Sequence, residues 1–418
     1  DVIGVYDVGT SAFDTSISTG TLTSIYKFAG AASVGMRVVF APNTADVVGV
    51  YTVPPSPPSA PPPAPSPPPP LPSPPPPLPS PPPPSPPSPP PSIPPPPPPF
   101  DTSVSTGTLT SDGKFSGAAA VGTKVVFAPL SANVIGVYDL STSAFDTSVS
   151  TYPLTSSYNF DGAATVGAKV VFAPYNANVI GVYHDLSTSY FDASVSTEIT
   201  TSGKFTGAAA VGTKVVFAPY NANVIGVYDV GTSAFDTSIS TGTLTSDGKF
   251  RGAAAVGTKV VFAPYDADVI GVYDVGTSAF DTSVSTGTLT SDGKFRGAAA
   301  VGTKVVFVPF DANVIGVYDV STSSFDTSIS TGTLTSSHKF MGAAVVGTKV
   351  VFAPYDADVI GVYDVGTSAF DTSISTGTLT SDLKFMGAAT VGTKVVFAPF
   401  NANVIGVYDV GTSAFDTS

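Results

Sequence analysis

Cysteine is absent from the 418 residues, so no disulfide framework, thiolate nucleophile or cysteine-ligated zinc or iron site is available. Tryptophan is absent too, which removes the side chain most used for stacking on sugars and anchoring interfaces. Histidine occurs twice, at His184 and His338. Charged residues make up only 11%, against roughly 25% in an ordinary soluble domain. Lys+Arg 17 against Asp+Glu 30 leaves a net charge of −13, which argues against nucleic acid as a partner. Long apolar runs are missing as well. A membrane span needs about 18 consecutive apolar residues, and runs such as VVFAP stop after about five, so no membrane span is expected. The opening DVIGVYDVGTSAFDTS lacks a basic n-region and a continuous apolar h-region, so it is not a secretory signal. It begins in mid-repeat, which reads as a mature or trimmed chain. Gly 40 and Pro 42 are both high, and their arrangement carries the rest of the argument.

The segment [DN]V[IV]GVY recurs from Asp1, Asp46, Asn133, Asn178, Asn223, Asp268, Asn313, Asp358 and Asn403, at spacings of 45, 87 and then 45 six times. A fixed period of this size indicates a solenoid or propeller, in which stacked neighbours bury the face that one unit cannot bury alone. Within the unit Lys249 to Thr290 there is no 3.6-residue apolar period long enough for a helix. β-Branched and aromatic runs alternate instead with turn chemistry at Gly257-Thr258 and Val275-Gly276-Thr277. Four strands are predicted: a at 249–256, b at 259–265, c at 268–275 and d at 279–286. Four strands in about 45 residues make a β-propeller blade. The small residues Gly252, Ala253, Ala254 and Ala255 place strand a innermost, where the axis is most crowded, and the Ser/Thr/Asp-rich strand d suits a wet outer edge. The rival all-β reading is a stacked β-solenoid.

The pattern GAAAVGTKVVFAPYDADVIGVYDVGTSAF resembles the kelch-like β-propellers everywhere outside residues 54–99. Ala263-Pro264 stands where that family carries paired glycines, and Phe280 where it carries Trp. The resemblance implies an all-β propeller that acts as a binding scaffold. Eight a-strand equivalents run from Phe28 to Phe385 and nine d-strand equivalents from Phe13 to Phe415, so one c–d hairpin is surplus. Eight blades are preferred, because Phe100-Asp101-Thr102-Ser103 resumes the repeat in register; the alternative is seven blades over 107–418 with 1–53 as an N-terminal arm. The chain therefore divides into 1–53 as the first repeat or arm, 54–99 as a proline-rich tract, and 100–418 as the remaining seven repeats. The surplus hairpin is a candidate head-to-tail connector, since exposed strand edges recruit partners.

Residues 54–99 hold 33 Pro and 8 Ser and no charge, which predicts polyproline II and excludes helix and sheet. The repeated unit SPPPPLP resembles the hydroxyproline-rich glycoproteins of plant and green algal walls, extensins and pherophorins among them. That resemblance implies hydroxylation and arabinosylation of Pro67, Pro68, Pro69, Pro70, Pro74, Pro75, Pro76, Pro77, Pro81, Pro82, Pro83 and Pro84, with galactosylation of Ser66, Ser73 and Ser80. An unmodified linker or a ligand for SH3-type domains is the plainer reading.

Little else carries chemistry. His184 is a one-residue insertion in a turn and His338 sits in a loop; both are expected to be solvated, and neither has a nucleophile partner. Asp266, Asp268 and Asp274 lack the ligand spacing of an EF-hand, and Asn176, Asn178, Asn221 and Asn223 replace two of them in other units, so turn capping is expected rather than metal binding. Lys214, Lys259 and Lys304 read as solvated charges at the start of strand b. No catalytic, metal or cofactor residue is predicted, and the chain is not expected to be an enzyme. The leading expectation is an extracellular structural glycoprotein of a matrix, wall or fibre, self-associating through its repeats and bearing arabinose- and galactose-type O-glycans. The alternative is a monomeric propeller that binds a protein or glycan, with the tract as a tether. Exposed differences between blades discriminate the two, and most differences read as conservative, which favours assembly.

Overall fold

The computed structural model describes residues 5–7, 12–14, 26–52, 100–101, 109, 113–139, 141–142, 144–185, 189–377, 379–399, 402 and 406–416. Among them all regular elements are strands, and none is a helix long and apolar enough to cross a membrane. Eight four-stranded antiparallel sheets form a ring, an eight-bladed β-propeller. Blades 1 to 8 begin at Phe28, Phe115, Phe160, Phe205, Phe250, Phe295, Phe340 and Phe385. Each adds strands a, b, c and d in chain order.

Blade 5 shows the design, with strand a at Phe250–Val256, b at Lys259–Pro264, c at Gly271–Asp274 and d at Ala279–Asp281. Strand b is buried on both sides, from Val260 to Pro264, because a blade is covered by a neighbour on each face. That explains its unbroken KVVFAP run, where a half-exposed strand would alternate. Strand d does alternate, exposed and half-buried, as in Ser324–Ser330. Strands c and d are shorter than predicted in most blades; the full length is reached in blades 6 and 7, with Val314–Asp319 against Ser324–Ser330 and Val359–Asp364 against Ala369–Ser375. In blade 5 the pairing is interrupted at Gly271, and only the Val269–Ser285 bridge continues it. A Cβ at Gly271 would stand 2.8 Å from the Phe250 ring, so the glycine clears space for the aromatic core.

The core lies between blades. Phe250, Val260, Phe262 and Tyr273 of blade 5 pack on Val216, Ala218, Ile225 and Val227 of blade 4. The same set recurs around the ring, and Phe28, Phe40 and Tyr51 of blade 1 pack on Ala389, Val396 and Ala398 of blade 8, which closes it. Residues 28–52 are thus a full member of the ring, and the arm expected in the seven-bladed alternative is not formed. Tyr51 pairs with Phe100 and Val50 with Asp101, so strand d of blade 1 comes from beyond the proline-rich tract. Blade 8 takes Gly406–Asp409 and Ala414–Asp416 as its strands c and d, and the surplus hairpin is Val5–Asp7 with Ala12–Asp14, a separate two-stranded sheet.

Polar clasps join successive blades. The lysine preceding strand a, which the sequence reading passed over, is fully buried: Lys294 Nζ donates to the Asp266 carbonyl at 3.1 Å and pairs with Asp268 Oδ1 at 2.9 Å. Lys249 donates to the Asn221 carbonyl at 3.2 Å, and Lys384 pairs with Asp358 at 2.9 Å. Burial of an ammonium is tolerated here because its donors meet acceptors. Asp266 Oδ1 also accepts from Gly293 N at 2.8 Å, so this acidic position fastens the next blade rather than capping its own turn. Asp274 does behave as a turn cap, accepting from Gly276 N at 2.8 Å. Lys214, Lys259 and Lys304 are half-buried, not fully solvated.

Candidate functional site on the propeller axis

Strand a begins with a bulge in every blade; in blade 5 the register shifts between Phe250 and Ala253. An extra residue at that point re-aims a side chain, and Phe250 turns into the blade core while Arg251 lines the axial channel. The same position supplies Ala29, Ser116, Asp161, Thr206, Arg251, Arg296, Met341 and Met386 around a cavity of about 290 Å³. Of the strand a positions, this one, where the side chains converge, varies most between blades.

These residues are organised. Ser116 Oγ donates to Asp161 Oδ1, and Thr206 Oγ1 donates to the Arg251 carbonyl at 2.9 Å. The residue after strand b supplies an aromatic staircase at the same end of the channel: Tyr175, Tyr220, Tyr265, Phe310 and Tyr355, with successive ring centroids 6.0–6.3 Å apart. The Arg251 guanidinium lies 5.4 Å from the Tyr220 centroid and 5.5 Å from that of Tyr265, and Arg296 lies 5.0 Å from Phe310. Such separations support cation–π attraction. Burial and the neighbouring Arg251 charge lower the pKa of Arg296 to about 10. Burial raises the phenol pKa of Tyr175, Tyr265 and Tyr355, so these three stay neutral near pH 7.

The sequence-predicted sites lie elsewhere. Ser66, Ser73, Ser80 and the prolines of the three Ser-Pro-Pro-Pro-Pro units fall outside the described residues. Among the described residues, no three His, Asp or Glu side chains are grouped as a metal site. His338 is an exposed loop residue, as expected, with its ring 4.6 Å from that of Phe310 and Nδ1 3.5 Å from Asp356 Oδ2.

His184 departs from expectation. It ends strand c of blade 3, where Lys169 pairs with it as Lys259 pairs with Asp274 in blade 5. It is only 7% exposed and stacks on Tyr190 at 4.2 Å and 14°. The inserted residue moves the aspartate on by one, and Asp185 takes Lys124 of blade 2 at 2.6 Å. Buried Nε2 has no hydrogen-bond partner, and burial lowers the pKa below 6.5. The unfolded chain therefore binds a proton that the folded chain refuses, and stability falls as pH drops below about 6.5. Urea midpoints are expected to decline between pH 7 and pH 5, and His184→Phe should flatten that slope. An unchanged slope in the variant would remove His184 as its source.

No protein-family model and no curated protein matches this sequence. Among solved structures, the computationally designed Ika8 protein superposes with a TM-score of 0.59 at 14% identity, over 94% of this chain and 98% of that one. Virginiamycin B lyase from Staphylococcus aureus gives 0.53 at 16% identity, over 68% and 91%. The Cps50 (Swd1) β-propeller domain of Myceliophteria thermophila gives 0.51 at 10%, over 72% and 98%. At these identities the likeness is one of fold, and neither lyase chemistry nor any partner transfers with it. The kelch-like and hydroxyproline-rich resemblances rest on sequence motifs alone, and what the comparisons identify is the β-propeller.

Proposed function

We propose that the chain is a non-enzymatic binding propeller whose recognition site is the channel end ringed by the aromatic staircase. The observation that carries this reading is the placement of blade differences. They are most marked at the channel position of strand a, at the residue after strand b, and two residues before the phenylalanine that opens strand a, where Tyr26, Gly113, Tyr158, His338 and Leu383 differ. All three positions belong to the end at which strand a starts and strand b finishes. At the other end the turn between strands a and b repeats Gly-Thr-Lys in blades 2 and 4 to 8. Assembly through identical blades has no need of such asymmetry, whereas recognition depends on it.

The glycosylated, extracellular rod is proposed with it as a tether. Its support is the SPPPPLP motif and the place of the tract in the chain, between strands c and d of blade 1, which pair in register at Tyr51–Phe100. The test is a thermal-shift screen of the full chain against peptides, glycans and small organic acids. Ligands are expected to stabilise the wild type, to lose that effect with Tyr265→Ala, and to keep it with Thr258→Ala at the opposite end. Ligand-free filaments in electron micrographs, with no ligand sensitive to Tyr265→Ala, would overturn the binding reading in favour of a matrix protein.

A further inference from the structure

We infer that the axial channel is an oxyanion site, in which Arg251 and Arg296 together hold the carboxylate or phosphate of a small organic anion. The inference rests on the recognition site proposed above and names its ligand class.

The charge inventory supports it. The whole chain carries −13, yet the ionisable side chains lining the channel are Arg251 and Arg296 against the single Asp161. Asp161 is held by the Ser116 hydroxyl and keeps its charge, which acts on Arg296, so the lining side chains carry one net positive charge. The nearby buried lysines are matched by their own acceptors, as Lys294 is by Asp266 and Asp268. Arg251 and Arg296 are different: among the described residues no ion pair or hydrogen bond engages either guanidinium, and they lie over the rings of Tyr220, Tyr265 and Phe310. Each guanidinium carries five N–H donors in a planar fork suited to carboxylate and phosphate. Two forks on adjacent blades, braced by aromatic rings and short of acceptors, repel one another until an anion enters. Burial first and the neighbouring Arg251 charge second depress the pKa of Arg296.

The rest of the lining limits the ligand. Met341 and Met386, on the two blades following Arg296, present thioethers to the channel, which suits an apolar body attached to the anion. A cavity of about 290 Å³ lies at the small end of the range for small-molecule sites. An acidic side chain projecting from a peptide offers the same chemistry, so source is a question for the experiment.

Isothermal titration of the full chain at low ionic strength should use phenyl phosphate and benzoate as small anions, benzamide as the uncharged analogue, and an acidic peptide. Phenyl phosphate or benzoate is expected to bind, weakening with salt, and benzamide is not. Arg251→Gln and Arg296→Gln should each weaken binding by about tenfold or more, and Arg296→Lys, which keeps the charge and loses the fork, should weaken it less. Tighter binding of the acidic peptide with the same dependence on both arginines would place the oxyanion on a protein partner. The inference fails if no anion binds, if benzamide binds equally well, or if the glutamine variants bind like the wild type with unchanged melting. Ligands abolished by Tyr265→Ala but indifferent to both arginine variants would overturn the oxyanion site and leave the recognition site standing.

Discussion

Phe250→Ala is expected to lower the stability of the propeller by about 3–5 kcal/mol. The ring is fully buried and lies among residues of two blades, with Val216, Ala218 and Ile225 of blade 4 on one side and Phe262 and Tyr273 of its own blade on the other. It forms a trio with Phe262 at 5.7 Å and with Phe280 at 6.4 Å and 89°, the second an edge-to-face contact. Truncation removes the transferred surface and leaves a void whose walls are strands held in two separate sheets, so local collapse is restricted. Gly271, directly beneath the ring, offers no side chain to fill it. Phe280→Ala should cost less, because that ring is only half-buried on the outer strand. Urea unfolding with matched slopes measures both. A loss below about 1 kcal/mol for Phe250→Ala, no more than an average substitution costs, would mean that the blade interfaces are not the core.

That expectation rests on features already visible in the repeat. The 45-residue period, the KVVFAP run and the small residues after Phe250 were enough to anticipate four-stranded blades with strand a innermost, because each signals its own burial locally. The register of Phe100 was also legible, since pairing with Tyr51 depends only on resuming the repeat. What escaped depends on residues distant in sequence. The burial of Lys294 requires acceptors from Asp266 and Asp268, 28 and 26 positions earlier in the preceding blade, and nothing within its own strand announces them. His184 reads as a turn insertion, but the insertion pushes the aspartate outward and draws the histidine into the strand-end position. The channel residues escaped for a third reason. Arg251 follows Phe250 in strand a, and alternation alone cannot show that a bulge directs it to the axis. Ala29, Asp161 and Met386 lie far apart in sequence, and only closure of the ring brings them around one cavity.

The same ring geometry makes a second strong prediction. A glycine two residues into strand a of each blade faces the backbone of the next blade, and the gap differs around the circle. A Cβ at Gly162 would lie 2.5 Å from the Thr206 carbonyl oxygen, whereas one at Gly387 would find Ala31 N and Gly30 Cα at 3.4 Å, ordinary contact. Backbone in a hydrogen-bonded sheet cannot swing aside like a long side chain, so Gly162→Ala must wedge blade 3 from blade 4. The expected cost is about 1–3 kcal/mol, the usual range for overpacking. Gly387→Ala should be close to neutral, because the lost freedom of the unfolded chain offsets a slight tightening. Denaturant midpoints of the two variants measured side by side decide the matter, and equal losses would refute it. The contrast bears on why eight blades close. Seven of the junctions follow one another along the chain, and the junction between blades 8 and 1 joins its two ends. That junction has the wider glycine gap and still buries Phe28 and Phe40 against Ala389, Val396 and Ala398. Side-chain packing, rather than closest backbone approach, therefore seals the ring, and the tight glycine contacts elsewhere fix the spacing that brings the two ends within reach.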